Sequence, residues 1–219
     1  MTLPEPGRGL FLDFDGTVAE SLGVLRTAYE EFLAFHGRKG SLAEFDSLNG
    51  PPLPEIVSRL RFLHDLEPAP EELLLRYGER IDASYDEVVP VTGADTLIRL
   101  AVETGWTVAI VTSNAAPRVE KWLNRTGLRS LISTLVAAGD TPRGKPFPDP
   151  YILALERTAC LASLSFAVED SPSGAGAAVA AGLRVFGCTP ARADALTWPL
   201  GVTPVSHLAE IAPHLSAAR

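Results

Sequence analysis

Apolar residues follow two rhythms along the chain. Leu10, Phe11, Leu12 and Phe14 make a short run interrupted only by Asp13, and similar runs recur at 106–111, 131–138, 164–168 and 183–188. Runs of this length, bounded by polar residues, glycine or proline, suit buried strands. The second rhythm has the three-to-four spacing of an amphipathic helix. It is clearest over 22–35, where Leu22, Leu25, Tyr29, Phe32 and Leu33 fall on one face before Gly37 and Gly40 end the pattern. Shorter helical stretches follow at 42–48, 54–63 and 70–85, punctuated by Pro51, Pro52, Pro54, Pro68 and Pro70. Between 17 and about 89 no segment reads as a strand. From Pro90 onward strands and helices alternate, with helices predicted over 94–103, 117–126, 149–158, 172–181 and 208–215.

This alternation predicts an α/β fold: a Rossmann-like parallel sheet with helices on both faces. The helical stretch after the first strand reads as an insert. The predicted division is a catalytic core of residues 1–16 and 90–219 and a helical cap of residues 17–89. The cap would sit over the strand end that carries Asp13 and Asp15, a position that suits a lid.

Composition narrows the function. The chain has 219 residues, 46% of them hydrophobic, and a net charge of −8. That charge gives no footprint for nucleic acid. No apolar run approaches the ~18 residues of a membrane span, and the first nine residues lack the apolar stretch of a secretory leader. Cys160 and Cys188 lack metal-ligand spacing and read as free buried thiols. A cytoplasmic protein with no obligate protein partner is the expectation.

Four strand ends carry chemistry. Asp13 and Asp15 follow the first strand and precede Gly16, where open α/β sheets place ligands. Two acids there need a cation, or else form an ordinary turn. Thr112-Ser113-Asn114 follows the strand at 106–111 and offers hydroxyl and N–H donors to an anion, or caps the next helix. Lys145 lies between Gly144 and Pro146 in a stiff loop, either aimed at an anion or exposed. Glu169-Asp170 follows the strand at 164–168; the pair suits a hard divalent cation, or Asp170 or Ser171 caps the helix beginning near Pro172. The histidines lack ligand spacing, and the three tryptophans read as packing residues.

The sequences DFDGT (13–17), VTSN (111–114), GKPFPDPY (144–151) and VEDSPSG (168–174) occur in that order. In these signatures the chain resembles the haloacid dehalogenase superfamily, in its phosphoglycolate-phosphatase-like and β-phosphoglucomutase-like subgroup, over essentially its whole length. The resemblance implies a phosphatase acting on a small phosphorylated metabolite. Asp13 would be the nucleophile that becomes an aspartyl-phosphate, and Asp15 the acid and then the base. Mg²⁺ would be held by Asp13, the Asp15 carbonyl and Asp170, with Glu169 close by. Thr112 and Lys145 would bind the phosphoryl oxygens with help from backbone N–H groups near Ser113 and Asn114, and the loop containing Gly50 would meet the leaving group.

Asp15 argues against dehalogenation, since departing halide needs no proton. Phosphonate cleavage is disfavoured because the cap's only lysine is Lys39, in a Gly-rich turn. A phosphomutase is the closest alternative. By alignment, the His, Lys and Arg of the mutase cap fall at Leu25, Asn49 and Leu53, so the basic clamp is missing. A phospho-accepting module or a catalytically silent binding protein are readings of another class, disfavoured by the helical insert and by the full set of acids and lysine.

Overall fold

The structure, a computed structural model, describes residues 7–189 and 197–217; most of the stretch inspected for a leader, residues 1–6, lies outside it. Among the described residues six strands form one sheet: β1 (Gly9–Leu12), β2 (Thr107–Val111), β3 (Thr134–Val136), β4 (Phe166–Glu169), β5 (Arg184–Cys188) and β6 (Val202–Val205). Their order is β3-β2-β1-β4-β5-β6 and every pairing is parallel, with Leu12 level with Ile110 on one side and Val168 on the other. The order turns around β1, so the crevice for a ligand lies at its carboxyl end.

Alternation along the central strands splits the core in two. Leu10, Leu12, Val108, Ile110 and Val168 face a layer that includes Ile98, Val119, Trp122 and Leu215. Phe11, Ala109, Val111 and Ala167 face the opposite layer, with Tyr151, Ala154 and Ala178. Strands buried on both faces need unbroken apolar runs, and those runs are what the sequence displays.

Among the described residues four helices, α1 (Leu22–Phe35), α2 (Leu42–Ser47), α3 (Leu53–His64) and α4 (Pro70–Ser84), follow β1 in the chain. A 3-10 turn over Tyr85–Glu87 ends this segment. Phe32 stacks on Tyr77 between α1 and α4 at 4.7 Å. The remaining helices are α5 (Ala94–Glu103), α6 (Ala116–Thr126), α7 (Asp149–Thr158), α8 (Pro172–Ala180) and α9 (Ala212–Ala217).

Three elements differ from the expectation. β6 was not predicted; its sequence is Val-Thr-Pro-Val, and it is an edge strand, where Pro204 costs no central ladder bond. The helix expected over 208–215 is a 3-10 turn, Leu208–Ile211, followed by α9. The strand expected over 131–138 shortens to β3, because a 3-10 turn occupies Arg129–Leu131. Cys160 and Cys188 are free and buried, and among the described residues no helix is long and apolar enough to cross a membrane.

Candidate active site

The carboxyl ends of β1, β2 and β4 bring Asp13, Thr112, Glu169 and Asp170 to one edge of the sheet. Asp13 directly follows β1, and its N–H donates to the Val168 carbonyl, continuing the ladder. Asp15 lies beyond, before Gly16, whose φ of +81° makes the exit turn. A Cβ on Gly16 would come within 2.3 Å of Asp170 Oδ2, so the turn also needs glycine for space.

Lys145 is buried rather than a surface loop residue. Its ammonium donates to Asp13 Oδ1 at 2.6 Å and to the Val111 carbonyl at 2.8 Å, and it pairs with Glu169 Oε1 at 2.6 Å. Burial works against this charge, but Asp13 and Glu169 outweigh it and raise the pKa. Glu169 also accepts from the Tyr151 hydroxyl at 2.7 Å and from Ser171 Oγ at 3.3 Å. Ser171 in turn caps α8, accepting from the Gly174 N–H at 3.1 Å.

One carboxylate oxygen from each of Asp13, Glu169 and Asp170 lies within 4.8 Å of the others, and all three residues are buried. Burial raises the Asp13 pKa strongly; Lys145 opposes the shift, and Glu169 and Asp170 add to it. Asp170 is pushed up to about 7, first by burial and then by Glu169. With all three carboxyls ionised, one ammonium leaves two negative charges in a buried cluster. A hard divalent cation with oxygen ligands fits that donor set and that charge.

Asp15 is held by a separate set of groups. It accepts from Ser21 Oγ at 2.6 Å, from Asn114 Nδ2 at 2.8 Å and from the Tyr85 hydroxyl. Ser21 is the N-cap residue of α1, yet its side chain makes no capping bond; the hydroxyl serves Asp15 instead. Tyr85 follows α4, so both ends of the helical segment converge on this one carboxylate. Burial, then the Asp15 charge, raises the Tyr85 pKa, keeping the phenol a donor. Arg118 lies over the Tyr85 ring and donates to Asn114 Oδ1 at 2.5 Å, orienting the amide whose nitrogen reaches Asp15.

The β2 loop has divided duties. Thr112 Oγ1 accepts from the Asn114 N–H at 3.0 Å, and the Ser113 hydroxyl donates to the Gly50 carbonyl at 2.5 Å. Asn49 Nδ2 donates to Asp170 Oδ2 at 3.0 Å. Two adjacent residues of the helical segment thus bond to the strand-end loops. Gly50 has φ +110° and lies so close to α8 that a Cβ would stand 3.1 Å from Ser173 Cβ.

A cavity of about 440 Å³ opens above these groups, lined by Asp13, Asp15, Thr112, Lys145 and Asp170 below and by residues of α1, α3 and α4 above. Ser21, Tyr85 and Arg118 went unnoticed in the sequence. They carry no motif; the return of α4 to the start of α1 brings Ser21 and Tyr85 to Asp15, and Arg118 of α6 reaches it only through Asn114. Tyr151 lay inside the GKPFPDPY signature, but nothing in that spacing pointed to its bond with Glu169.

Comparison with known proteins agrees with this architecture. The family model of the haloacid dehalogenase-like hydrolases matches residues 10–188. The chain is 28% identical to fructose-1-phosphate phosphatase YqaB of Escherichia coli (strain K12) over 180 residues, covering 80% of this chain and 93% of that protein. It is 30% identical to protein CbbY of Rhodobacter capsulatus, covering 81% and 83%. The crystal structure of CbbY from Rhodobacter sphaeroides in complex with phosphate superposes with a TM-score of 0.83 at 25% identity, covering 93% of this chain and 96% of that one.

Proposed function

Because the chain belongs to the haloacid dehalogenase-like hydrolases, we propose that it hydrolyses a small phosphomonoester through an aspartyl-phosphate on Asp13. The observation that carries this reading is the Lys145 ammonium, locked 2.6 Å from Asp13 and 2.6 Å from Glu169 at the floor of the cavity. It fixes the Asp13 carboxylate and sets a positive charge where the transferring phosphoryl group gathers negative charge.

Asp13 attacks phosphorus, the ester P–O bond breaks, and Asp15 gives a proton to the departing alcohol oxygen. Asp15 then takes a proton from the water that attacks the aspartyl-phosphate, releasing phosphate and restoring the Asp13 carboxylate and the protonated Asp15. Ser21, Asn114 and Tyr85 hold Asp15 for both steps. Thr112 lines the cavity beside Asp13 and binds phosphoryl oxygens together with Lys145. Asp13, Asp170 and the Asp15 carbonyl would hold Mg²⁺, with Glu169 beside them, and the ion would supply further positive charge at the phosphoryl oxygens.

Hydrolysis is favoured over a mutase reaction by the upper wall. Leu25, Asn49 and Leu53 line the cavity, and the described residues of the helical segment bring no Lys, Arg or His to it. A bisphosphate's far phosphate would have no cation there. Purified protein should therefore release phosphate from 4-nitrophenyl phosphate only with Mg²⁺ present, and Asp13→Asn should lower kcat by more than about 10³-fold. Metal-independent turnover, or an active Asp13→Asn variant, would overturn the assignment.

A further inference from the structure

Resting on the phosphatase reading, we propose that the alcohol part of the substrate is uncharged and apolar, an alkyl or aryl group rather than a sugar or a carboxylate. Five side chains carry the argument: Leu22 and Leu25 of α1, Leu53 and Ile56 of α3, and Leu74 of α4. All line the cavity, and all are only partly buried. They offer the leaving group aliphatic surface that the fold itself does not cover.

Most of the polar groups of the cavity are already committed. Among the described residues its cations are Lys145 and Arg118. Lys145 is taken by Asp13, Glu169 and the Val111 carbonyl. Arg118 is taken by Asp82 at 2.6 Å and by Asn114. From the helical segment, the side chains able to hydrogen-bond in the wall are Asn49 and Tyr77, and Asn49 is bound to Asp170. A polyol placed against this wall would strand several hydroxyls without partners, at about 1–3 kcal/mol each. An anionic tail would be buried without a counter-charge. An alkyl or aryl group incurs neither cost and gains from covering the five side chains. The cavity, about 440 Å³, has room for a phosphate and a leaving group of several carbons.

The test is a chain-length series with Mg²⁺: methyl, ethyl, butyl and hexyl phosphate, whose alcohols leave with similar difficulty, beside sorbitol 6-phosphate and phosphoglycolate. kcat/KM should rise about fourfold per methylene until the cavity fills, and hexyl phosphate should exceed sorbitol 6-phosphate by at least about tenfold. Leu25→Asn and Leu53→Asn, at positions that are not fully buried, should each lower the value for hexyl phosphate by roughly tenfold. A flat series, or a preference for the polyol or carboxylate ester, overturns the proposal while phosphate release sustains the phosphatase reading. If no ester releases phosphate, the phosphatase reading falls and the proposal falls with it.

Discussion

Replacing Gly174 by alanine sets two physical effects of opposite sign against each other. Gly174 lies in the first turn of α8, and exchanging a helical glycine for alanine stabilises by up to about 1 kcal/mol through backbone entropy. Here the added Cβ would fall 2.0 Å from Glu169 Oε1 and 2.2 Å from Cδ and Oε2. That carboxylate is fully buried and bound by Lys145, Tyr151 and Ser171, so it cannot step aside without breaking its contacts. Stranding a buried charge costs about 3–5 kcal/mol; Lys145 keeps Asp13 and the Val111 carbonyl, which puts the loss near the lower end, about 3 kcal/mol. Subtracting the propensity gain leaves a net destabilisation of about 2 kcal/mol. For a chain of this size that is a fall in Tm of roughly 4–8 °C. Gly176 of the same helix is the control: its Cβ would meet nothing nearer than Pro199 Cγ at 3.9 Å, so Gly176→Ala should gain about 0.5–1 kcal/mol. Thermal and urea denaturation of the two variants beside the parent decide the matter. A Gly174→Ala protein that melts at or above the parent temperature would refute the packing argument.

Two further outcomes follow from the site. The metal-free Asp170 carboxyl, with its pKa raised to about 7, binds its proton more tightly folded than unfolded. Its contribution to stability is therefore complete below the ordinary carboxylate range and is lost as pH rises through about 7. A cation replaces that proton, so the Tm gained on adding Mg²⁺ to chelator-treated protein should be larger near about pH 8 than near about pH 5.5, and equal gains would count against a metal at this cluster. Tyr85→Phe removes one donor to Asp15, a hydrogen bond to a charged group of about 1.5–3 kcal/mol. It should slow alkyl phosphates by about tenfold or more and 4-nitrophenyl phosphate much less, since a good leaving group needs little protonation. Equal losses on both would argue that Tyr85 acts on stability alone.

The strands of the sheet centre were legible because burial on both faces forces runs such as Val108–Val111 to be continuously apolar. β6 was not, because an edge strand is only partly covered and tolerates Thr203 and Pro204. Asp13, Thr112 and the Glu169-Asp170 pair could be placed from sequence because each directly follows an apolar run, and parallel topology gathers such ends on one edge. The groups that hold Asp15 could not. Ser21 and Tyr85 carry no motif, and their shared target is set by how α1 and α4 pack. Lys145 falls between these cases: its stiff loop was visible, but its burial against two acids was a tertiary fact.

The aliphatic wall and the reacting groups belong to different parts of the chain: the wall to the helices of 22–81, the acids and lysine to the loops that leave the sheet. Leu22, Leu25, Leu53, Ile56 and Leu74 have no bond to the acid cluster, so descendants of this protein can exchange them one at a time and inherit the chemistry intact. Asn49 and Gly50 lack that freedom, because one holds Asp170 and the other is tied to Ser113. Divergence toward new leaving groups should thus accumulate in the helices and leave the Asn49–Gly50 turn unchanged.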